Sequence, residues 1–233
     1  MKEYYFDEMI VRRYTWDIID SNSYLIIENN EAILIDICDS EELLNDLISL
    51  DKIYIFLTHS HFDHISGLNQ LRKNNKNSLV YSTLNCSKNI GNKYKNMSAS
   101  ANAYLAFYNK DDNPLDAINK LNIIDSFECE VSDVTFDESY SFYWNDHFIQ
   151  LFSVYGHSND GILLIIDRNY MFSGDTLLPI PTITRFVGGS TKLFWEHDIP
   201  LLKSLAPSIK KVFPGHGEPG ELKEFISKNS SSK

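Results

Sequence analysis

The sequence predicts an α/β fold (α+β in the wider sense), and three observations support this class. Short apolar segments rich in β-branched and aromatic residues alternate with amphipathic segments at helical spacing. The candidate ligand side chains come directly after the apolar segments. At 233 residues and 43% hydrophobic composition, the chain can bury one good core. We therefore predict a single domain over residues 1–233.

The first third of the chain has the pattern of strands followed by strand–helix units. The predicted strands are Met9–Trp16, Ser23–Ile27, Ala32–Ile37, Lys52–Leu57 and Ser78–Tyr81. The predicted helices are Glu41–Leu50 and Ile65–Asn74. Ser40 is placed to cap the first helix, which carries acidic residues in its first turn. Lys52–Leu57 is continuously apolar, as expected for a strand covered on both faces.

Residues 84–128 have a different composition, rich in Asn, Lys, Tyr and Ser. Ala99–Tyr108 reads as a helix, Asp111–Pro114 as a break and Leu115–Leu121 as a second short helix. We predict a helical insertion or lid at about 84–128, because binding residues often lie on such connections. Surface helices of the same layer are the alternative.

The last third returns to strands. They are His147–Val154, Gly161–Ile166, Tyr170–Ser173 and Lys210–Phe213, with helices within Lys192–Leu205 and at Leu222–Ser227. Asp167–Asn169 is predicted as a tight turn.

Composition and charge exclude several classes of protein. The net charge of −11 argues against a nucleic-acid binder, because phosphate contacts need Lys and Arg. Met1–Tyr5 leads into polar sequence without the apolar stretch of a signal peptide, and no apolar run approaches the ~20 residues of a membrane span. Three widely spaced cysteines indicate a reducing compartment. We expect a cytoplasmic protein whose partner is a small-molecule substrate, with a homodimer left open.

The most informative motif is H-x-H-x-D-H, formed by His59, His61, Asp63 and His64 after the apolar strand. Three of the seven histidines lie in this window. In an extended segment, residues two apart point to the same side, so His59 and His61 are placed to bind one ion. Asp63 and His64 come as the chain turns into a helix and are placed for a second ion. Imidazole and carboxylate ligands suit zinc, and also iron or manganese.

Three later candidate ligands each follow an apolar strand and a glycine. They are His157 after Gly156, Asp175 after Gly174 and His216 after Gly215. A glycine at these points suits a sharp turn that lets the backbone approach an ion. Since loops at neighbouring strand ends converge on one edge of a sheet, we expect these side chains to lie together.

These elements, in this order, resemble the metallo-β-lactamase fold superfamily. The matching segments are Ser23–Ile26 with Asp36, the H-x-H-x-D-H block, Gly156–Ser158, Ser173–Thr176 and Pro214–Gly217. The resemblance implies a four-layer αββα metallo-β-lactamase sandwich, in which two mixed sheets carry helices on their outer faces and the site lies at one edge.

The resemblance also implies a ligand assignment for two zinc ions per chain, with iron or manganese as alternatives. His59, His61 and His157 would bind the first ion, Asp63, His64 and His216 the second, and Asp175 would bridge them. Asp36 matches a position that supports the site from behind the ligands, and a capping or turn role is its alternative.

The chain also departs from the family pattern. The family commonly reads G-H-T-x-G-S around the third histidine, whereas here the segment is Gly156–Gly161 and Asp160 adds an acid close to the site. Because His64 and Asp175 are both present, antibiotic hydrolysis is not the predicted activity; the glyoxalase II and lactonase branch fits better. Tyr155 and Arg185 are candidate pocket residues, and the planar guanidinium of Arg185 suits a carboxylate or phosphate.

The predicted function is a dinuclear metal-dependent hydrolase. A metal-bound hydroxide would attack an ester, thioester or lactone, so no Ser or Cys nucleophile is required. Asp63 and Asp175 are the candidate catalytic residues for proton transfer. The alternatives are a phosphodiesterase or nuclease of the same fold, a mononuclear iron enzyme resembling the sulfur dioxygenases, and, last in order, a non-catalytic binding protein.

Overall fold

The computed structural model describes residues 1–6, 9–108 and 124–230, and it contains two β-sheets packed face to face. The first sheet consists of β1 (Lys2–Tyr5), β2 (Ile10–Trp16), β3 (Ser21–Glu28), β4 (Glu31–Ile35), β5 (Lys52–Phe56), β6 (Ser78–Thr83) and β7 (Val134–Phe136). The second consists of β8 (Ser139–Trp144), β9 (His147–Val154), β10 (Gly161–Ile166), β11 (Tyr170–Gly174) and β12 (Lys211–Pro214).

Helices cover the outer faces of both sheets. They are α1 (Glu41–Leu47), α2 (Phe62–Ile65), α3 (Leu68–Asn74), α4 (Leu84–Ile90), α5 (Ala101–Tyr108), α6 (Thr191–Leu193), α7 (Ile199–Leu205) and α8 (Leu222–Ser230). A π-helical turn, Phe194–Asp198, joins α6 to α7. Ser40 caps α1 as predicted, because its Oγ accepts a hydrogen bond from the backbone N–H of Leu43. None of the described helices is long and apolar enough to cross a membrane.

Both sheets are mixed, as predicted. In the first sheet, β1 to β4 pair antiparallel and β4 to β7 pair parallel. In the second, β11 and β12 pair parallel and the other neighbours antiparallel. Strands β9, β11 and β12 therefore run in one direction, and their carboxyl ends lie at one edge of the sheet. This topology brings distant parts of the sequence to a common edge.

Three apolar layers hold the fold together. Between the sheets, large side chains are fully buried, among them Tyr24, Phe56, Phe172 and Phe213. Leucines of α1 and α3 cover the outer face of the first sheet, and Phe194, Leu202 and Phe225 cover the second. Burial of this apolar surface is the main driving force for the architecture. The four-layer αββα sandwich is confirmed.

Two tight hairpins have consecutive residues with positive φ, and one of them is the predicted turn at Asp167–Asn169. Asn29 and Asn30 have φ values of 50° and 63°, and Asp167 and Arg168 have 52° and 59°. Two consecutive residues with positive φ form the turn that matches the twist of paired strands.

Three strands were absent from the prediction, namely β1, β7 and β8. The segment of β8, SYSFYW, is rich in aromatic residues, but five of its six side chains are exposed or half-buried and only Trp144 is buried. It lies at the edge of the second sheet, where no described strand pairs with its outer side. Edge strands of this kind carry a weak sequence signal.

The predicted insertion at 84–128 is described only in part. It begins with α4 and continues through a short turn at Ser98–Ser100 into α5. The buried Asn96 amide donates to the carbonyl oxygens of Ile90 at 3.2 Å and Phe127 at 3.0 Å, so both ends of the segment are tied to one another. The predicted break and the helix at Leu115–Leu121 lie outside the described residues, and the lid stays a prediction.

Candidate metal centre

The H-x-H-x-D-H motif lies where β5 leaves the first sheet. His59 and His61 are in the extended connection, and Asp63 and His64 are in α2, the first helical turn after it. All four side chains are buried, from 1% to 6% exposed. The strand–loop–helix arrangement inferred from the sequence spacing is therefore observed.

Three histidines form the first group of candidate ligands. His59 Nε2 lies 3.0 Å from His61 Nδ1, and His157 Nε2 lies 3.1 Å from the same atom. His157 arrives from the end of β9, about a hundred residues along the chain, so the topology and not local sequence creates the group. The three nitrogens are close enough to bind one ion together.

In two of these three rings, the hydrogen bond made by Nδ1 shows that Nε2 carries the lone pair. His157 Nδ1 lies 2.8 Å from the carbonyl oxygen of Ile183, which can only accept, so this nitrogen carries the proton. Thr58 donates its hydroxyl to a carboxylate and accepts at 3.1 Å from His59 Nδ1. In both rings Nε2 is therefore an unprotonated acceptor facing His61. Ring lone pairs that converge on one point in this way are the arrangement that a metal ion satisfies.

Asp63, His64 and His216 form the second group. Asp63 Oδ2 lies 3.2 Å from His216 Nε2 and 3.5 Å from His64 Nε2. The Nδ1 of His216 donates to the carbonyl oxygen of Ile19 at 3.1 Å, which again leaves Nε2 directed at the cluster. The set combines two imidazoles and a carboxylate, the ligand types that zinc and iron both accept.

Asp175 lies between the two groups. Its Oδ1 is 3.4 Å from His64 Nε2, and its Oδ2 is 3.4 Å from His216 Nε2 and 3.5 Å from His157 Nε2. Within this cluster, the buried atoms His64 Nε2 and Asp175 Oδ1 accept or donate no hydrogen bond among the described residues. An unpaired buried polar atom is costly, and a divalent ion would satisfy both. The residues therefore fit a metal site.

The glycines before the late ligands act for two different reasons. Gly174 has a φ of +47°, which favours glycine, as the predicted sharp turn requires. Gly156 is needed for space instead, since a Cβ there would lie 2.6 Å from Cδ2 of Phe194. At Gly156, close packing against neighbouring elements favours glycine, and turn geometry does not.

The electrostatics differ between the two groups. Burial lowers the pKa of His59 well below its usual value and that of His61 to about 4. His157 shifts in the same direction, also through burial. Burial opposes the charged form of His64 and His216 as well, but nearby carboxylates outweigh it and raise the pKa of His216 to about 10. Without a bound metal ion, the histidines of the first group are therefore neutral at pH 7, whereas His64 and His216 are protonated.

Removing the metal should make this difference visible. In folded protein treated with a chelator at pH 7.5, we expect His64 and His216 to be imidazolium and the first-group histidines to be neutral. A histidine is protonated at pH values below its pKa and neutral above it. At pH 7.5 the raised pKa values of His64 and His216 therefore leave these rings protonated, and the lowered pKa values of the first group leave those rings neutral. Nitrogen-15 NMR of the imidazole rings measures the charge directly; five neutral rings would contradict the assignment.

Asp36 supports the second group from behind. It is 1% exposed, has a φ of +55°, and accepts hydrogen bonds from the Thr58 backbone N–H at 2.7 Å and hydroxyl at 2.6 Å. Its Oδ2 lies 2.8 Å from His64 Nδ1, so this nitrogen carries the proton and Nε2 is left for the cluster. The capping alternative is excluded, because Ser40 supplies that hydrogen bond. Asp36 thus fixes the ring of one ligand and, through Thr58, that of His59.

Replacing Asp36 by Asn should weaken the second metal more than the first. Asp36 accepts through both carboxylate oxygens, whereas the side chain of Asn has one acceptor oxygen and an NH2 group that would face a donor. The hydrogen bonds that orient His64 and Thr58 therefore cannot all be kept. Substitutions behind a ligand typically lower metal affinity about 10- to 100-fold. Competition with a chromophoric chelator measures each affinity. The exposed Asp51, replaced by Asn, is the matched control, and equal loss at both sites would contradict the role of Asp36.

The two candidate pocket residues lie apart from the cluster. Tyr155 is half-buried with its ring centroid 5.0 Å from that of His197, and it lines a separate cavity of about 170 Å³. Arg185 is exposed. Its neighbour Phe186 instead contacts the cluster, with its ring centroid 5.3 Å from that of His157. Both assignments stay predictions.

Two of the cavities beside the cluster are lined by His216. The smaller, of about 30 Å³, lies between ligands and apolar side chains, and its lining includes His61, Asp63, Asp175, His216, Tyr104 and Phe186. The larger, of about 310 Å³, lies beside His216 and is lined by Arg13, Asn22, Pro179 and Ile180. The first gives a compact group access to the candidate ligands, and the second offers space for the rest of a small molecule.

Sequence reasoning missed two residues that hold the site. Thr58 precedes the motif and links Asp36 to His59. Asp198, buried in the π-helical turn, accepts the backbone N–H groups of Tyr155 at 3.1 Å and Gly156 at 2.7 Å, next to His157. Thr58 could be found from its place before the first histidine, whereas nothing in the sequence links Asp198 to residues 155–156.

The chain was compared with known proteins. A curated relative, hydroxyacylglutathione hydrolase 1 of Vibrio vulnificus, is 30% identical over 76 residues, which are 32% of this chain and 31% of the relative. The match thus spans about a third of that relative's length. Among solved structures, the BLEG-1 B3 metallo-β-lactamase superposes with a TM-score of 0.73 at 21% identity, covering 94% of this chain and 97% of that one. TTHA1623 in a di-iron-bound form superposes with a TM-score of 0.72 at 22% identity, covering 94% and 98%.

At these identities the structural matches establish the fold alone. The family is established by sequence, because the family model of the metallo-β-lactamase superfamily matches residues 16–216, most of the chain and every candidate ligand. The chain belongs to the metallo-β-lactamase superfamily.

Proposed function

We propose that this protein is a dinuclear metallo-hydrolase that acts on an ester, thioester or lactone. The observation that carries the proposal is the position of Asp175. Its two carboxylate oxygens lie 3.4–3.5 Å from nitrogens of both groups, so this one side chain would contribute a ligand to each of two ions. Paired ions are a recurring arrangement in hydrolytic enzymes.

The chain's own residues define what each part would do. When bound, two ions supply a water of lowered pKa and a Lewis acid for the substrate carbonyl. Asp63 and Asp175 line the cavity over the cluster and are the proposed catalytic residues. Burial favours the protonated form of Asp63, but the nearby His64 and His216 outweigh burial and lower its pKa, so the carboxylate is ionised at neutral pH.

Nucleophilic catalysis by a cysteine does not fit the described residues. Cys38, Cys86 and Cys129 are all buried, and burial raises the pKa of Cys38 to about 11 and of Cys129 to about 12. A thiol is a nucleophile only as the thiolate. The ligand cluster is therefore the source of the proposed reactivity.

The proposed metal is zinc, two ions per chain, with iron as the alternative. The donor set of five imidazoles and two carboxylates suits both. The structural neighbour TTHA1623 was crystallised in a di-iron-bound form, and this favours testing iron alongside zinc. Manganese belongs to the same test.

The proposed substrate is a small molecule. The cavity beside His216 has about 310 Å³, a size typical of ligand pockets. Arg13, the arginine in its lining, is paired with Glu218 at 2.6 Å, which reduces the positive charge available to a phosphate backbone. Together with the net charge of −11, this favours the hydrolase over a nuclease. A cytoplasmic location, which the three buried free thiols support, is part of the proposal; a homodimer stays a prediction.

The test is a substrate panel on protein loaded separately with zinc, iron and manganese. We expect release of thiol, alcohol or acid from at least one thioester, ester or lactone, and loss of this activity in His61→Gln. The control His147→Gln changes a histidine that pairs with Asp167 away from the cluster. Cleavage of phosphodiesters alone would favour the nuclease, and oxygen uptake with a persulfide in the iron-loaded protein would favour the dioxygenase.

A further inference from the structure

A third cavity, which is also lined by His61, has no role in the proposed reaction. It has about 50 Å³, and its lining includes Ser60, Asn89, Lys95, Ser158 and Asp160 as well as His61. That volume exceeds what one water molecule needs, so a compact polar group fits.

The cavity contains a carboxylate that is only half satisfied. Asp160 is 1% exposed, and its Oδ2 accepts a hydrogen bond from the Asn89 amide at 2.8 Å. Its Oδ1 is buried and has no hydrogen-bond partner among the described residues. Ser158, 4% exposed and in the same lining, has an Oγ that is likewise buried and without a partner there. A buried carboxylate oxygen without a donor is costly, so the geometry is complete only when a donor enters.

The small cavity adjoins the candidate reaction site. His61 lines both this cavity and the one over the cluster. Phe186 lines the cavity over the cluster, and the next two residues, Val187 and Gly188, line the small one. A ligand group in the small cavity would therefore lie next to His61, which also lines the cavity over the cluster.

We propose that this cavity binds the ammonium group of an amine-bearing substrate, through Asp160 Oδ1 and Ser158 Oγ. This inference rests on the proposed function and narrows it to esters or thioesters of short amino acids. An ammonium group has three N–H donors and a positive charge, so it satisfies both unpartnered oxygens with charge-assisted hydrogen bonds. The net charge of −11 favours the approach of such cations.

The reactivity test uses isosteric acyl groups on the same thiol. The β-alanyl and butanoyl thioesters of N-acetylcysteamine differ only by an ammonium group in place of a methyl group. Hydrogen bonds to charged groups are worth enough to favour the β-alanyl thioester about 10- to 100-fold in kcat/KM. In Asp160→Asn and Asp160→Gly this ratio should fall to near one. The exposed Asp146, replaced by Asn, is the matched control and should keep the ratio.

Binding of the corresponding amides separates this inference from the proposed function. β-Alaninamide and butanamide carry the same acyl groups, and saturation-transfer NMR measures their binding to the metal-loaded protein without turnover. Asp160-dependent binding of β-alaninamide with no thioester cleavage would preserve the ammonium site and refute the hydrolase. Thioester cleavage without preference, together with equal binding of both amides, would refute the ammonium site and leave the hydrolase standing.

The side chain of Lys95 is an alternative source of the ammonium group, since it lines the cavity and is exposed. If its own ammonium group fills the site, the ratio will be near one in the parent protein and will rise in Lys95→Met. That result would overturn the proposal.

Discussion

Replacing Asp175 by alanine should remove one metal ion per chain and nearly all turnover. Asp175 is the residue whose oxygens reach nitrogens of both ligand groups, whereas each histidine group keeps its own members in the variant. The first group would still bind an ion through three imidazoles, so metal content should fall from about two to about one. Because paired-ion chemistry needs both ions, turnover should fall about a hundred-fold or more.

The test requires both measurements on Asp175→Ala: elemental analysis for the loss of one ion per chain, and steady-state kinetics for the loss of turnover. Asp146→Ala, in the exposed turn between β8 and β9, removes a carboxylate of the same type away from the cluster and should change neither quantity. Asp175→Ala with full activity and unchanged metal content would refute the dinuclear centre.

Replacing Gly215 by alanine should damage the metal site without removing any ligand. A Cβ at this position would lie 2.2 Å from Asp175 Oδ1, 2.9 Å from the Gly174 carbonyl carbon and 2.9 Å from His64 Cε1. These atoms belong to a buried turn and two ligands, so they have no free space to move into. Overpacking of this kind costs about 1–3 kcal/mol of folding free energy. We expect lower metal content and a lower Tm.

Gly91→Ala is the control, since a Cβ there would meet its nearest atom, the Cys129 carbonyl oxygen, at an ordinary 3.5 Å. Calorimetry with and without added metal measures both effects. If Gly215→Ala bound two ions with parent affinity, the close packing of residues 174 and 215 around the ligands would be contradicted.

The positions of the candidate ligands in the fold were predictable because the sequence signal for each is local. The spacing of His59, His61, Asp63 and His64 specifies a strand, a short connection and a helical turn, which is the observed order. The late ligands each follow a strand of the second sheet, and strands of one direction end at one edge. Neither inference requires knowledge of distant contacts.

The surroundings of the site were not predictable, because they depend on contacts between distant segments. Tyr155 is two residues from His157, yet its ring packs beside His197 and lines another cavity. Phe186 and not Arg185 faces the cluster, in a segment held to His157 through the carbonyl oxygen of Ile183. The direction of a side chain in such a connection follows from its long-range packing, which periodicity does not encode.

The hydrogen bonding of Asp160 also could not be predicted from the sequence. The sequence places an acid near the third histidine, but only the structure shows that one oxygen is paired with Asn89 and the other is not. A departure from a family pattern becomes interpretable once the partners of each atom are known.

The most direct test of the central claim is the metal content of protein purified without added metal or chelator. Elemental analysis should find about two ions per chain, zinc in the leading account and iron in the alternative. A single ion would contradict the bridging position of Asp175. No metal, even after reconstitution with zinc, iron and manganese, would contradict the assignment of the whole cluster.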